Sequence, residues 1–352
     1  MKKIAEIREE RDENVKRKAL LSVIVPCYNE AEGLKLFYTE TSKVLQAMEK
    51  GAAGAELMEQ MELMEPVKRM EPVEPVEYEI LFVNDGSSDG TGEIMKALAE
   101  KDPHCRYVMF SRNFGKEAAM YAGLKEARGD YCVMMDADLQ HPPALLPEMY
   151  QAVSQEGWDC CGGKRVGRDG DGAVRSVLSR AFYKICKALT HLDMGDGYGD
   201  FRMMRRAMVD AILEMKEYNR YMKGIFSFVG FQTRWIPYEN VERAAGKTKW
   251  NLKGLFRYAM EGILSFSTAP LKLAGIFGAG LLMAGIIYLL VNLLQGFWMP
   301  LARAVSQMDV VLSLVLLLGG VQMLFLYILG AYLSKDYMEN KRRPVYIVRE
   351  RG

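Results

Sequence analysis

The sequence has almost no net charge, few histidines and no Cys-x-x-Cys pair. Its 46 Lys and Arg residues balance 45 Asp and Glu residues, so the net charge is +1 and no overall field favours nucleic acid. The three histidines, His104, His141 and His191, are scattered without the spacing of zinc ligands. The composition therefore points away from nucleic-acid-binding proteins and zinc proteins.

None of the six cysteines forms a Cys-x-x-Cys pair, and most lie in apolar runs. This pattern predicts reduced thiols in the core of a cytoplasmic domain. The N-terminal residues MKKIAEIREERDENVKRK are charged and contain no apolar core. They are therefore not expected to act as a secretory signal.

Two long runs near the C-terminus, residues 273–294 and 310–333, carry no charge. Each is long enough to cross a hydrocarbon core of about 30 Å as a helix, and soluble helices rarely run so far without a polar face. Cations flank the pair of runs on both outer sides, whereas the loop between them holds only Arg303. The pattern predicts a cytoplasmic-membrane protein with two spans and with both termini in the cytoplasm.

Residues 250–266, WNLKGLFRYAMEGILSF, place apolar residues at helical spacing and charged residues on the other face. They predict a juxtamembrane amphipathic helix at the bilayer surface, or alternatively a helix packed on the soluble part. The small residues within 275–280 would permit close packing of membrane helices, which leaves a homo-oligomer open.

Residues 20–240 alternate strand and helix patterns, which predicts an α/β fold with a mostly parallel, Rossmann-like sheet and helices on both faces. Polar clusters follow the predicted strands at 28–30, 84–87, 113–117 and 136–140. Ligands bind at the carboxyl ends of such strands. The low-complexity segment 51–77 is expected to form an exposed insert. The predicted divisions are 1–19 charged segment, 20–240 catalytic domain, 241–270 juxtamembrane helices, 271–334 membrane helices and 335–352 basic cytoplasmic tail.

The stretch YCVMMDADLQHPP ends an apolar run with two acids and an amide. On a strand, residues two apart face the same way, so Asp136, Asp138 and Gln140 would present three oxygen ligands together. Such oxygens suit Mg²⁺ or Mn²⁺. The alternative is a solvated turn that the following prolines end.

The stretch NDGSSDGT carries a carboxylate and a glycine-rich turn that leads into a helix. Such a turn can bind the polar edge of a nucleotide or a phosphate. The alternative is an ordinary turn in which Asp89 caps the helix.

The motifs VIVPCYNE, VNDGSSDGT, SRNFGKEAA and DADLQHPP follow one another, and GYGDFRMMRR, RAAGKTKWNL, two apolar runs and a basic tail come after them. Together they resemble the family 2 glycosyltransferases with the GT-A fold. The layout is similar to the polyprenyl-phosphate branch, which includes bactoprenol glucosyltransferases and dolichol-phosphate mannose synthases. The resemblance covers roughly residues 20–350 except the insert.

This resemblance implies a metal-dependent, inverting transfer of a sugar to polyprenyl phosphate at the cytoplasmic face of the membrane. UDP-glucose is the first expectation for the donor, whereas UDP-N-acetylglucosamine, GDP-mannose and a UDP-linked modified pentose stay open. Undecaprenyl phosphate is the expected acceptor. Arg165, Arg180, Arg243, Lys247 and Lys249 are the candidates for binding its phosphate, with a solvated or lipid-headgroup face as the alternative.

The resemblance also implies roles on the donor side. Asp136, Asp138 and Gln140 would hold Mg²⁺ or Mn²⁺ on the donor diphosphate, which Lys116 would approach. Asp200 and Arg202, together with Asp138, would act at the reaction centre. The pocket for the base and ribose would be lined by Pro26, Tyr28, Glu30, Val83 and Asp85.

Two positions depart from the family pattern. Asn84 stands where the family often has an aspartate, and His141 stands where it often has an acid. The sequence leaves His141 as either a surface residue or an outer-shell partner of the metal.

Two other functions remain open on the sequence. A processive polysaccharide synthase would carry Gln-x-x-Arg-Trp, but the segment 232–235, QTRW, is one residue short of that motif, and two spans are few for a polymer channel. A non-catalytic, sugar-nucleotide-binding membrane scaffold would tolerate loss of the metal ligands, which are all present.

Overall fold

The computed structural model describes residues 18–51, 74–166, 198–239, 267–298 and 307–352, and these residues fall into two units. The first unit contains the described residues up to 239 together with the C-terminal residues 344–352. The second contains the described residues from 267 to 343. The expected amphipathic helix at 250–266 and most of the insert, residues 52–73, lie outside the described residues.

The first half of the first unit alternates strands and helices as predicted. Its elements are β1 (Leu20–Cys27), α1 (Leu34–Glu49), β2 (Glu77–Asn84), α2 (Thr91–Lys101), β3 (Cys105–Phe110), α3 (Lys116–Glu126) and β4 (Tyr131–Met134). β1 pairs in parallel with β2 and with β4, and β2 pairs in parallel with β3. The predicted α/β class is confirmed, and the four central strands are parallel.

The second half of this unit extends the sheet and breaks the parallel pattern. A 3₁₀ turn (Pro143–Leu145) leads into α4 (Leu146–Ser154), β5 (Cys160–Val166), β6 (Tyr198–Arg205), α5 (Arg206–Glu214), α6 (Met222–Phe228) and β7 (Thr233–Glu239). β6 runs antiparallel to β4 and β5, and β5 pairs in parallel with β7. With β8 (Val348–Arg351), the sheet order is β7-β5-β6-β4-β1-β2-β3-β8.

Helices cover both faces of the parallel strands. Side chains of α1, α2 and α4 join one face of β1 and β2 in a buried apolar cluster. On the other face α3 lies so close that a Cβ at Gly123 would stand 2.2 Å from the Ile24 side chain. Because glycine is required at this contact, the sequence fixes how closely α3, which starts at Lys116, approaches the sheet.

A buried carboxylate holds the amino ends of the strands together. Glu79 accepts hydrogen bonds from the Ser22 hydroxyl at 2.6 Å, the Arg128 N–H at 2.7 Å and the Arg106 guanidinium at 2.8 Å. Burial would raise the pKa of Glu79, but these donors hold it below its usual value. The cluster lies at the end of the sheet opposite the polar motifs.

Five cysteines lie within the described residues, and all five are free and buried, which confirms the prediction of core thiols for this part of the chain. Burial raises their pKa values, as for Cys132 and Cys161, so the thiols stay protonated. Cys186 lies outside the described residues.

The second unit consists of the long helices α7 (Ala269–Trp298) and α8 (Gln307–Asn340). Within the described residues, one helical stretch, Leu318–Asn340, is long and apolar enough to cross a membrane, and Pro270–Leu281 is apolar but shorter. The span predicted at 310–333 overlaps Leu318–Asn340. The span predicted at 273–294 lies in α7 and stays a prediction.

The C-terminal residues form part of the sheet. Residues 335–352 were expected to be only a basic tail, but Val348–Arg351 pairs antiparallel with β3. The Tyr346 ring stacks on Phe110, with ring centroids 4.9 Å apart. The prediction rested on the many cations of this segment and missed a short strand pattern. In that pattern, Tyr346, Val348 and Glu350 lie two residues apart.

Candidate active site

The acid pair lies in a turn after β4, so the expectation that Asp136, Asp138 and Gln140 alternate along a strand is wrong. β4 ends at Met134, and Leu139 adopts φ +58°. The Asp138 carboxylate accepts the Gln140 N–H at 3.1 Å, which is typical of a turn stabilised by aspartate.

The strand ends early because of its neighbour β1. The Met135 N–H still donates to the Ile24 carbonyl at 3.0 Å. Hydrogen bonds on a strand alternate between its two sides, so the next residue of β1 to face β4 is Pro26. Pro26 has no N–H to donate, and the ladder stops there. The same proline therefore releases the chain into the turn that carries both acids.

His141 belongs to the core of this turn. The Asp136 N–H donates to His141 Nδ1 at 3.0 Å, and the imidazole stacks on Phe201 with ring centroids 4.8 Å apart. Because His141 is buried, the surface-residue alternative is wrong. Burial lowers its pKa and favours the neutral ring, whose proton must then lie on Nε2, 4.0 Å from an oxygen of Asp136. This position suits an outer-shell partner of Asp136.

Lys116, the first residue of α3, connects two elements of the site. Its ammonium lies 2.8 Å and 3.0 Å from the two oxygens of Asp136 and 3.0 Å from Asp200 on β6. Burial disfavours the charged ammonium, but the two carboxylates outweigh this effect and hold the pKa of Lys116 above its usual range. The acid turn after β4 and the start of β6 therefore form one site.

Asp200 on β6 is the second carboxylate that contacts Lys116. Burial alone would raise its pKa, but Lys116, Lys223 and Arg202 hold it well below the usual range. Asp200 therefore remains ionised at neutral pH and is a poor acceptor of protons.

Arg202 is buried on the same strand, with 5% of its surface exposed. One guanidinium nitrogen donates to the Gly199 carbonyl at 2.9 Å, and the group lies 4.0 Å above the Phe226 ring and 5.3 Å from that of Trp235. Its Nε has no hydrogen-bond partner within the described residues. Arg202 is therefore held firmly but retains an unused donor.

A pocket of about 230 Å³ lies beside Arg202. Its described lining includes Lys223, which is the one charged residue of α6 and which sequence reasoning missed. A lone cation in the apolar run MKGIFSF was the available signal. The aromatic residues of the lining are Tyr198, Phe226, Phe231 and Trp235.

The residues predicted for the base and ribose pocket lie at the carboxyl ends of β1 and β2. Pro26 and Val83 are opposite one another in the sheet, and both are buried. Tyr28 is exposed beyond β1, and the Glu30 N–H donates to the Thr91 hydroxyl at 2.9 Å. The structure brings these four residues to one edge of the sheet, and their role in binding stays a prediction.

Asp85 is buried and binds the loop before α3. Its carboxylate accepts the Phe114 N–H at 2.6 Å and the Gly115 N–H at 2.9 Å, although burial still raises its pKa. A Cβ at the neighbouring Gly86 would stand 2.3 Å from the Arg112 backbone, and φ there is +66°. The glycine-rich turn therefore positions the loop that precedes Lys116.

The alternative in which Asp89 caps α2 holds in part. Gly90 occupies the N-cap position of α2, and Asp89 accepts the N–H of Thr91, the first helical residue, at 3.0 Å. Its other oxygen accepts the Ala31 N–H at 3.1 Å. Asp89 thereby joins the loops that follow β1 and β2.

One of the five predicted acceptor cations lies within the described residues. Arg165 lies exposed on β5, opposite Tyr238 in the sheet. The other four lie outside the described residues: Arg180, Arg243, Lys247 and Lys249.

The acid turn suits a metal that arrives with its substrate. Within the described ranges, no group of three His, Cys, Asp or Glu side chains is arranged to hold a metal by itself. Two carboxylates in one turn fit a hard cation that completes its shell with phosphate oxygens and water. Asp136 already attracts the ammonium of Lys116, so the residues present fit such an ion.

Comparisons with known proteins agree on one family. The family model described as glycosyl transferase family 2 matches residues 62–213. The prophage bactoprenol glucosyl transferase homolog of Escherichia coli (strain K12) is 36% identical over 334 residues, which is 94% of this chain and 98% of that protein. CsbB of Bacillus subtilis (strain 168), named as an inferred glycosyltransferase, is 38% identical over 95% of this chain and 92% of its own.

Among solved structures, glucosyl-3-phosphoglycerate synthase from Mycobacterium tuberculosis with Mn²⁺ and UDP-glucose is similar at 18% identity and a TM-score of 0.43. The alignment covers 70% of this chain and 77% of that one.

Proposed function

The chain belongs to the family 2 glycosyltransferases, in their polyprenyl-phosphate branch, and on that basis we propose that it transfers glucose from UDP-glucose to undecaprenyl phosphate. The observation that carries the proposal is the bridge through Lys116. It joins the acid turn, suited to a donor diphosphate, to Asp200, which the family resemblance predicts at the reaction centre. A sugar bound to the diphosphate would then lie beside Asp200.

The donor nucleotide would bind along the carboxyl ends of β1 and β2. Tyr28, Glu30 and Asp85 converge there, at the edge where parallel sheets bind ligands. Lys116 would exchange its carboxylate partners for donor phosphate oxygens, which offer it the same kind of charge-assisted hydrogen bond.

Asp136, Asp138 and Gln140 would hold Mg²⁺ or Mn²⁺. His141 would orient Asp136 through the hydrogen bond that its Nδ1 accepts from the Asp136 N–H. When bound, the ion offsets the charge of the donor diphosphate and stabilises the leaving nucleotide as a Lewis acid.

In the proposed reaction, an oxygen of the acceptor phosphate attacks the anomeric carbon of the sugar. The bond from that carbon to the nucleotide diphosphate breaks, and its electron pair leaves with UDP. The second pKa of a phosphate monoester is about 6, so the nucleophile is already deprotonated at neutral pH. The protein therefore needs no general base, and direct in-line attack inverts the anomeric centre.

Asp200 fits an electrostatic role in this reaction. Because its pKa is held below the usual range, it stays ionised and removes no proton. A fixed carboxylate can stabilise positive charge that develops on the sugar ring, or orient a sugar hydroxyl.

The membrane location follows from the substrates. UDP-sugars are soluble, whereas the acceptor lies in lipid, so transfer is proposed at the cytoplasmic surface of the membrane. The apolar stretch Leu318–Asn340 supports membrane attachment. We propose the two spans and the cytoplasmic termini that the charge pattern predicts.

A donor screen tests the function. The full chain in vesicles that contain undecaprenyl phosphate is offered UDP-glucose, UDP-N-acetylglucosamine and GDP-mannose, and lipid products are weighed by mass spectrometry. The expected product carries one hexose from UDP-glucose. Asp138→Asn should lose at least about 100-fold in rate even with saturating Mn²⁺ and Mg²⁺, because it removes a carboxylate from the metal's shell.

Asp130→Asn provides the matched control, since Asp130 precedes the other end of β4 and binds the Leu20 N–H at 2.9 Å. It should keep the wild-type rate. A wild-type protein that makes no lipid-linked sugar from any donor would refute the proposed function, and a fully active Asp138→Asn would refute the metal assignment.

A further inference from the structure

The pocket beside Arg202 is not built from the motifs that follow the parallel strands. Its described lining comes from β6, from α6, from the loop after α6 and from the start of β7. It combines two cations with four aromatic rings. Such a lining suits a ligand with an anionic head and an apolar body.

Arg202 supplies a positive charge at the wall of this pocket. Its side chain is buried, with 5% of the residue exposed. Arg202 lines the pocket together with Lys223, so the two positive charges can attract an anion bound there.

Lys223 connects the pocket to the reaction centre. It lines the pocket, and its charge acts on Asp200, since it is one of the cations that lower the pKa of that acid. An anion bound at Lys223 would therefore lie close to the residue that is proposed to stabilise the sugar.

The pocket is too small for a whole donor. Sites for drug-sized ligands measure roughly 300–1,000 Å³, and this pocket measures about 230 Å³. That volume admits a phosphate and the first carbons of an attached chain, whereas a nucleotide sugar needs more room.

We propose that Arg202 and Lys223 bind the phosphate of the lipid acceptor, while the rings of Phe226, Phe231 and Trp235 contact the first carbons of its chain. The inference rests on the proposed function and adds Lys223 to the acceptor site. Phosphate oxygens would accept hydrogen bonds from both cations, so the nucleophile would be fixed before the sugar arrives.

Steady-state kinetics with the full chain in vesicles test this assignment. Lys223→Met should raise the KM for undecaprenyl phosphate about 10- to 100-fold, which is the usual effect of losing one hydrogen bond to a charged group. The KM for the donor should change less than about twofold. Lys223→Arg should restore most of the acceptor KM. Lys216 is exposed, so Lys216→Met serves as the matched control. Its KM values for donor and acceptor should equal those of wild type.

A binding measurement separates this inference from the proposed function. Trp235 lines the pocket, so its fluorescence should change when a short, water-soluble prenyl monophosphate binds, and Trp235→Phe should remove that signal. The corresponding prenyl alcohol should not bind, and inorganic phosphate should bind more weakly than the prenyl phosphate. Lys223→Met and Lys223→Gln should both weaken binding, even if no donor proves to be a substrate.

Three results would overturn the assignment. A rise in the donor KM instead of the acceptor KM would place the donor phosphates at Lys223. Equal binding of inorganic phosphate and prenyl phosphate would remove the role of the rings. Unchanged binding in both Lys223 variants, with thermal midpoints like that of wild type, would remove Lys223 from the site.

Discussion

Lys116 is the residue on which the candidate active site depends. Its ammonium lies within 3.0 Å of carboxylate oxygens from two separate elements, the turn after β4 and the strand β6. Without it, Asp136 and Asp200 would lose the cation that they share, and like charges at short range disfavour one another. Lys116 thus acts as an internal counter-ion in the substrate-free protein.

Replacing Lys116 by methionine should make the protein respond more strongly to divalent ions. The side chain is 45% exposed, so solvent screening should limit the loss of stability to about 1 kcal/mol or less. Added Mn²⁺, without donor, should raise the thermal midpoint of Lys116→Met more than that of wild type, because the ion relieves the carboxylate repulsion. Differential scanning fluorimetry at several Mn²⁺ concentrations measures both midpoints.

The matched control is Lys125→Met, on the same helix but exposed at its far end. Its response to Mn²⁺ should equal that of wild type. Equal Mn²⁺ shifts for Lys116→Met and wild type would contradict the counter-ion role.

Sequence reasoning located residues of the candidate site better than it predicted their geometry. The acid pair could be named because two carboxylates end an apolar run, and Asp200 because the stretch GDFRMM resembles a family motif. Their arrangement could not be predicted, because β4 ends at Met134, next to Pro26, and the acids that follow do not alternate as they would on a strand. Lys223 was missed because it approaches Asp200 only through the fold, and the burial of His141 depends on stacking against Phe201, 60 residues away in the chain.

At the scale of elements, Glu79 stabilises the sheet at the amino ends of its parallel strands, whereas the candidate active site lies at their carboxyl ends. Ser22, Arg106 and the Arg128 backbone converge on this carboxylate. The cluster fixes β1, β2 and β3 relative to one another at their amino ends. The loops at the carboxyl ends can then carry function without holding the sheet together.

Glu79→Gln should destabilise the protein by about 3 kcal/mol at pH 7, because it leaves the Arg106 guanidinium without its carboxylate. The pKa of Glu79 is lowered in the folded state, so its contribution is present above the unfolded value of about 4.3 and is lost as pH falls through the lower folded value. The difference in the free energy of unfolding between Glu79→Gln and wild type, called the stability gap, should therefore be constant from pH 7 to 5. It should narrow toward pH 3.

Chemical denaturation of the full chain in detergent across this pH range measures the gap. Glu77→Gln, exposed on the same strand two residues earlier, should change stability by less than about 0.5 kcal/mol. A gap that widened as the pH fell would contradict the role assigned to Glu79.

The elements show what local pattern can and cannot predict. The four parallel strands and their helices were predicted because each has a clear period and a clear boundary. The antiparallel direction of β6 and the pairing of β8 with β3 were not, because strand direction depends on partners far away in the chain. Val348–Arg351 pairs with Phe110 and its neighbours, more than 200 residues earlier, a distance that no local period encodes.

At the scale of the whole molecule, the chain combines a sheet with a polar edge and long apolar helices. The first unit contains the candidate active site, and the second contains the stretch that is apolar enough to cross a membrane. A glycosyltransferase with this composition suits a soluble donor and a lipid acceptor. The account therefore depends on the acceptor being a lipid phosphate.

Radiolabelled UDP-glucose supplied to the full chain in vesicles tests that claim most directly. One set of vesicles contains undecaprenyl phosphate, a second contains undecaprenol, and a third contains neither lipid but is given a soluble oligosaccharide. The account predicts label in the lipid fraction of the first set alone. Robust transfer of label to the soluble oligosaccharide without lipid phosphate would contradict it.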